Sequence, residues 1–289
     1  MSSKDILDKV KKLREITGVG FKDCKKAIDE NSGDIEKAIE FLRKKGIAKA
    51  TKKMERVAAD GLISIYEKEN KLSILEINSE TDFVAKNNEF IKFVEEVSSL
   101  TLKNSGKLDN IVNASMQNKK IVKDNLVSLI SRIGEKITIR RSDFIDSENS
   151  YNFYYIHAAV KKNLGKIGVL LSLNIAEQNK EFLNFGKQLA MHIAATSPLA
   201  IDKKDLDEKV LQKEKEIITE ELKNSGKDPK IVDKIAEGKL NKFISENTLL
   251  NQEWIMEPKK RVKDVIKQVE GKNKIEIKKF IRFKVGEGV

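Results

Sequence analysis

Cysteine occurs once in the 289 residues, at Cys24. A single thiol excludes an intrachain disulfide framework and any metal cluster built from several cysteines. The expectation is a cytoplasmic chain. Histidine occurs only at His157 and His192, and neither has a second His or a Cys at ligand spacing. Aromatic residues make up 6% of the chain, too few for an obvious base-stacking platform. No apolar run approaches the ~20 residues of a membrane-spanning helix. The stretch from Met1 to Asp8 leads straight into an amphipathic pattern, without the apolar core of a signal peptide. The expectation is therefore a protein that neither spans nor enters a membrane.

Charge is what the chain has in abundance. Charged residues are 35% and the net charge is +11. A strongly basic balance fits a nucleic-acid partner or a lysine-rich solvated surface. The second fits better, because the lysines run along the whole chain interleaved with Glu and Asp, with no Arg-aromatic stripe. Nothing marks an active site. Gly18-Val19-Gly20 lacks a third glycine, since Asp23 stands there, and no Gly-Lys-Ser/Thr follows. Cys24 falls in a helical apolar stripe, where a small core residue is the ordinary occupant. His192 sits in the helical run from Leu189 to Ile193, as a satisfied structural histidine would. The carboxylates form no pair that stands out as an acid/base couple. The chain is expected to act by binding, not as an enzyme, and to carry no cofactor and no metal.

Residues 5–45 predict three short helices. Ile6, Leu7, Val10, Leu13 and Ile16 form the first stripe, Phe21, Cys24, Ala27 and Ile28 the second, and Ile35, Ala38, Ile39 and Leu42 the third. Asp34 suits an N-cap and Gly46 a helix end. Residues 1–46 therefore form one domain, and the basic stretch 47–57 a linker. Residues 58–149 begin with a hairpin, Leu62–Tyr66 and Leu72–Ile77, turning near Glu69-Asn70. A helix carries Phe90, Phe93 and Val97. Another runs from Ile121 to Ile133, is closed by Gly134, and leads into a strand at 136–141. Residues 150–289 hold a second hairpin, 154–160 with 167–173, turning around Lys162 to Gly165. A helix at 181–195 follows. Residues 203–248 form a charged helical hairpin with a stripe of Leu206, Val210 and Ile217 and a turn at 225–229. This pair suits an antiparallel coiled coil. A final strand spans Phe280 to Val285.

The two hairpin-plus-helix segments are imperfect copies. Leu75-Glu-Ile-Asn78 matches Leu171-Ser-Leu-Asn174 at an offset of 96 residues, 171 − 75. Asn87-Asn-Glu-Phe-Ile-Lys-Phe93 matches Asn179-Lys-Glu-Phe-Leu-Asn-Phe185 at an offset of 92, 179 − 87. The first copy thus has four extra residues between strand and helix, 96 − 92, and Thr81-Asp82-Phe83-Val84 is a natural place for them. As an ordinary apolar residue, Phe83 packs under the following helix, a burial worth roughly 1.5–3 kcal/mol. As an insertion that the second copy does without, it is a functional tip on a loop. Asp82 taken alone suits a metal ligand or an acid.

The chain resembles the elongation factor Ts family. The resemblance rests on Leu13-Arg-Glu-Ile-Thr-Gly-Val-Gly-Phe-Lys-Asp-Cys-Lys-Lys-Ala-Ile28 and Gly33-Asp-Ile-Glu-Lys-Ala-Ile39. It continues through Ala58-Ala-Asp-Gly61, Thr81-Asp-Phe-Val-Ala85, Ile133-Gly-Glu135, Met191-His-Ile-Ala-Ala195, Met256-Glu-Pro258 and Phe280-Ile-Arg-Phe283 with Val285-Gly-Glu-Gly288. It covers nearly the whole chain. It implies an α+β fold: an N-terminal three-helix UBA-like (ubiquitin-associated-like) domain, then a core of two related hairpin-plus-helix α/β halves with an antiparallel coiled-coil insertion. It implies a translation elongation factor that binds the GDP form of elongation factor Tu, displaces its magnesium with the Thr81–Val84 loop and promotes exchange of GDP for GTP. The resemblance assigns partner contacts to Thr81, Asp82, Phe83 and Val84, and further ones to Lys25, Ile133, Gly134, His157, Ile255 and Met256. It implies no direct nucleic-acid partner and leaves open a homodimer or a 2:2 complex. A basic RNA-associated interaction module is the alternative. The chain stops at Val289, without the C-terminal helix of some members, and Trp254 departs from the family pattern in a contact segment.

Overall fold

In the computed structural model, residues 3–17, 19–53, 55–146, 150–175, 179–223, 229–271 and 273–289 are described. Three helices come first, α1 (Ser3–Thr17), α2 (Phe21–Glu30) and α3 (Ile35–Lys53). Most of their stripe residues meet: Val10, Leu13, Cys24, Ala27, Ile28, Ala38 and Leu42 enclose one small core, whereas Leu7, Ile16 and Phe21 at the stripe edges are exposed. Asp34 caps α3 by accepting from the Lys37 amide at 3.0 Å. Gly18, expected in the break after α1, lies outside the described residues. Gly46 does not end α3, which runs on through the expected linker to Lys53. The cost of a mid-helix glycine, about 1 kcal/mol, is set against close packing. A Cβ at Gly46 would lie 3.4 Å from the Ser131 hydroxyl, so the missing side chain lets α3 rest on the next helical layer.

The core starts with β1 (Asp60–Lys68) and β2 (Lys71–Ser79), an antiparallel hairpin. Both turn residues have positive φ, Glu69 at 52° and Asn70 at 61°, the backbone of a hairpin turn that matches strand twist. There follow α4 (Asp82–Ala85), α5 (Asn88–Lys103), α6 (Leu108–Asn113), α7 (Val122–Ile133) and β3 (Ile137–Ile145). The second half comprises β4 (Tyr151–His157), β5 (Leu164–Gly165), β6 (Ile167–Asn174) and α8 (Lys180–Thr196). It continues with α9 (Glu208–Lys223), α10 (Pro229–Asn247), α11 (Val262–Glu270) and β7 (Glu276–Lys284). One sheet has the order β3-β2-β1-β5 and the other β4-β6-β7, with all pairs antiparallel. The segment expected as a simple turn of the second hairpin is therefore more than a turn. Leu164 and Gly165 leave it to pair with β1 of the other sheet.

Alternation along the strands builds four layers. Leu62, Leu75 and Ile77 face Phe90, Val94 and Val97 of α5. The opposite face of the same strands, Ile63, Ile65, Leu72 and Ile74, meets Leu170, Ile281 and Phe283 of the second sheet. That sheet then turns Val169, Leu171 and Leu173 towards Phe182, Phe185 and Leu189 of α8. The sheets approach closely at Gly168, where a Cβ would stand 2.6 Å from Ile63 Cγ2. The order is helix, sheet, sheet, helix.

The repeat extends into backbone detail. In the first half the register against β3 slips between Glu76 and Ile77, and in the second the register against β7 slips between Ser172 and Leu173. These bulges are 172 − 76 = 96 residues apart, the offset of the matching strands. The helix caps follow the other offset. Asn87 Oδ1 accepts from the Glu89 amide at 2.8 Å, and Asn179 Oδ1 from the Phe182 amide at 2.8 Å.

Helices α9 and α10 pack antiparallel, with Leu211 near Leu240, Phe243 and Ile244. The inward stripe is shifted by one position from the expected one: Ile218 and Leu222 are buried, whereas Val210 and Ile217 are exposed. The turn at 225–229 lies outside the described residues except for Pro229, where α10 begins. No described helix is long and apolar enough to cross a membrane.

Glu76 lies between the two sheets with a fully buried side chain, and it joins the halves. Arg140 donates to Oε1 at 3.0 Å, Arg141 to Oε2 at 2.5 Å, and the Gly286 amide to Oε1 at 2.8 Å. Burial pushes the Glu76 carboxyl up, but the donors Asn78, Gly286 and Arg141 outweigh it and hold the pKa below the usual value. A lowered folded pKa means the contribution is present above the ordinary Glu range and drains away as pH falls through the folded value. Glu76→Gln should cost roughly 2–3 kcal/mol in urea unfolding at pH 7, because two arginines lose the buried carboxylate they share. The gap from wild type should narrow as the solution is acidified below pH ~4.5.

Candidate functional site

The segment Thr81–Val84, expected as a loop, is instead the start of a helical turn, α4 (Asp82–Ala85). Its closing bonds run from the Lys86 amide to the Phe83 carbonyl at 3.2 Å and from the Asn87 amide to the Val84 carbonyl at 2.9 Å. The turn decides which side chains go in. Val84 is 6% exposed and Ala85 1%, both within the α5-side core. Phe83, one position earlier, is 80% exposed. The alternative in which Phe83 packs under the following helix does not occur. Val84 takes that place, and the ring forgoes most of the roughly 1.5–3 kcal/mol its burial would provide.

Asp82 is spoken for by a neighbour on its own turn. Lys86 Nζ donates to Asp82 Oδ2 at 2.7 Å. This hydrogen bond holds the Asp82 carboxyl below its usual range and raises the Lys86 ammonium above its own. The group is therefore an ion-paired carboxylate at neutral pH. Among the described residues no three His, Cys, Asp or Glu side chains gather as metal ligands would.

The turn is braced from outside. Glu135 accepts from the Thr81 amide at 3.0 Å and from the Thr81 hydroxyl at 2.7 Å, each with a different oxygen. Ser79 Oγ donates to the Thr81 carbonyl at 2.9 Å. Glu135 follows Ile133 and Gly134, and Gly134 closes α7 in the left-handed region with φ 87°. The structure thus brings two groups of expected contact residues together, Thr81–Val84 and Ile133–Gly134. The same corner carries a second carboxylate, Glu80, which accepts from the Lys136 amide at 2.6 Å and pairs with Arg56 at 3.2 Å. Lys53, at the end of α3, donates to the Gly134 carbonyl.

The remaining expected contacts sit on other elements. Lys25 is exposed on α2. His157 ends β4 with its ring exposed, its Nδ1 3.2 Å from the Tyr155 hydroxyl. The Lys166 amide donates to the His157 carbonyl, and the Lys166 ammonium pairs with Asp60 and also lowers the Asp82 pKa. Lys166 therefore links the end of β4 to the approach of α4. Ile255 and Met256 are 41% and 39% exposed, beside a buried Trp254.

His192 explains how the 254–256 segment is held. It is fully buried, stacks on Trp254 at 5.2 Å, and has Nε2 3.1 Å from Gln252 Oε1. The Ile255 amide lies 3.4 Å from Nδ1. This arrangement assigns the neutral ring with Nε2–H donating to Gln252 and Nδ1 accepting from Ile255. Burial lowers its pKa to about 4, against which the Gln252 bond works only weakly.

Comparison with known proteins gives the same result from two directions. The family described as Elongation factor TS matches residues 80–287. Proteins named elongation factor Ts are similar over most of their length. The one from Gluconobacter oxydans is 39% identical over 280 residues, 97% of this chain and 91% of that protein. The one from Bartonella tribocorum is 42% identical over 283 residues, 97% of this chain and 92% of that protein. The one from Rickettsia prowazekii is 41% identical over 283 residues, 97% of this chain and 91% of that protein.

The neutral, buried state of His192 sets a pH dependence. Its folded pKa lies below that of the unfolded chain, so on acidification the unfolded state takes up the proton first. Stability from this group is complete above pH ~6.5 and drains away towards pH 4, a loss of about 3 kcal/mol. In a series of urea midpoints from pH 7 to pH 4, His192→Gln should show a shallower fall than wild type. An identical slope would remove the assignment.

Proposed function

The chain belongs to the elongation factor Ts family, and from that premise we propose that it is a nucleotide-exchange factor for elongation factor Tu. It binds the GDP form of that GTPase, and Thr81, Asp82, Phe83 and Val84 enter beside the nucleotide's magnesium. Lys25, Ile133, Gly134, His157, Ile255 and Met256 make the supporting contacts. The first three helices serve as a UBA-like domain, and the α9–α10 pair as an antiparallel coiled coil. The protein works in the cytoplasm.

The observation that carries this reading is the exposure of Phe83 on a turn whose next two residues are buried. An apolar ring held out by a pinned scaffold is arranged to be covered by something else. Inserted between elements of a GTPase, it moves the groups that hold the metal without touching the metal. Asp82, already paired with Lys86, supports the approach of the ring instead of competing for the ion. The ion neutralises phosphate charge, so its displacement removes a large electrostatic contribution to GDP affinity.

No bond in the nucleotide is made or broken. A factor that prefers the nucleotide-free state weakens GDP binding by its coupling free energy, and by linkage the nucleotide weakens the factor's binding equally. GTP then refills the site and expels the factor. Complex formation with elongation factor Tu should accordingly be strongest without nucleotide and fall as GDP is added. Salt-sensitive RNA binding without such a complex would favour the RNA-associated module instead.

Phe83→Ala should fold normally, because the ring contributes little to its own core. It should slow stopped-flow release of labelled GDP by roughly 10- to 100-fold, the rate equivalent of the lost burial. Release at the wild-type rate would sink the proposal.

A further inference from the structure

Resting on that reading of the 81–84 turn, we propose that Glu135 is a positioning residue for the exchange reaction: its carboxylate clamps Thr81 and so fixes the direction in which Phe83 leaves the surface. Thr81 stands at the N-cap of α4, where its hydroxyl would ordinarily accept from an amide of its own helix. It makes no such bond. The hydroxyl donates across 54 residues of sequence to Glu135 Oε1 at 2.7 Å, and the Thr81 amide donates to Oε2 at 3.0 Å. A local cap has been exchanged for a long-range brace. Local capping stabilises a helical turn but says nothing about its orientation, whereas a two-point bond to another element fixes orientation.

Three further features fit this role. Gly134 adopts φ 87°, which reverses the chain after α7 and precedes the carboxylate that turns back to Thr81. The other end of the brace is itself anchored, since Lys53 donates to the Gly134 carbonyl and the Lys136 amide donates to Glu80 at 2.6 Å. The second copy is four residues shorter in sequence at this point, and its α8, the counterpart of α5, carries the same kind of Asn cap, Asn179 matching Asn87. The clamp belongs to the half that carries the exposed ring. It also sets the spacing between that ring and the adjacent Ile133–Gly134 surface.

The test uses the full-length protein with Glu135→Ala, Thr81→Val and the double variant, with Thr81→Ser and Phe83→Ala as references. Two readouts are taken. One is GDP release from the GTPase across a range of factor concentrations. The other is hydrogen exchange of the Lys86 and Asn87 amides in the free factor. Loss of the clamp should lower the saturating release rate about 10-fold, as expected for hydrogen bonds to a charged acceptor. The half-saturating concentration should change less than about 2-fold, because contacts elsewhere hold the complex. The double variant should be no slower than either single one, the sign of a shared interaction. Both amides should lose protection while the unfolding midpoint stays close to wild type, and Thr81→Ser, which keeps the hydroxyl, should retain that protection. Wild-type saturating rates in Glu135→Ala beside a slow Phe83→Ala would overturn the role of Glu135 alone. Wild-type rates in both would overturn the wedge reading and the positioning role with it. Unchanged amide protection in Glu135→Ala would overturn the clamp whatever the rates.

Discussion

A four-residue helical turn cannot hold its own direction, and the external surface of this molecule depends on how that turn is fixed. Burial of Val84 and Ala85 fastens one side of α4 to the core. The paired bonds from Thr81 to Glu135 fasten its entrance. With both sides held, Phe83 has nowhere to go but outwards. The Asp82–Lys86 ion pair spans the same turn and keeps the carboxylate next to Phe83 in sequence engaged. Exposed as it is, that pair adds little stability. Its effect is on the character of the tip, an apolar ring beside a satisfied charge.

The duplicated scaffold shows why such a tip is tolerated. Each half presents a central strand flanked by two antiparallel partners, with a bulge at the equivalent place and an Asn cap on the following helix. The second half makes this arrangement without an equivalent of Thr81 to Val84 between its matching segments. The extra residues are therefore carried by a fold that is already complete. Glu76, facing Arg140, Arg141 and the Gly286 amide between the sheets, ties the far end of the chain to the half that bears the tip.

The parts of the fold that follow periodicity were legible in the residues. Alternation in β1 and β2, the stripes of the first three helices, the αL glycine after α7 and the strand-to-helix repeat all have local causes. What escaped has non-local or sub-periodic causes. Four residues are too few to display a helical period, so α4 reads as loop. Gly46 looks like a stop signal until α7 is seen packing against it. Helix α11 is not among the expected elements, although Val262, Val265, Ile266 and Val269 have helical spacing. Within the candidate site, the exposed ring was one of two open alternatives and the structure selects it. Glu135 stands in the sequence only as the end of Ile133-Gly-Glu135; its bond to Thr81 spans 54 residues and leaves no pattern. His192 was legible as a structural histidine, but its role in holding the Ile255 amide needed the fold.

On the proposed mechanism, a ring kept in solvent by its own protein is covered by the partner, most fully when the nucleotide is absent. The most direct measurement places 4-fluorophenylalanine at position 83 and follows its fluorine resonance. In the free factor the resonance should shift between H2O and D2O, as an exposed ring does. In the nucleotide-free complex with elongation factor Tu, that solvent shift should disappear and the resonance should move. Excess GDP with magnesium should restore the free signal. A resonance that keeps its position and its solvent shift in the complex would contradict the account, because the ring would then be as exposed with the partner as without it.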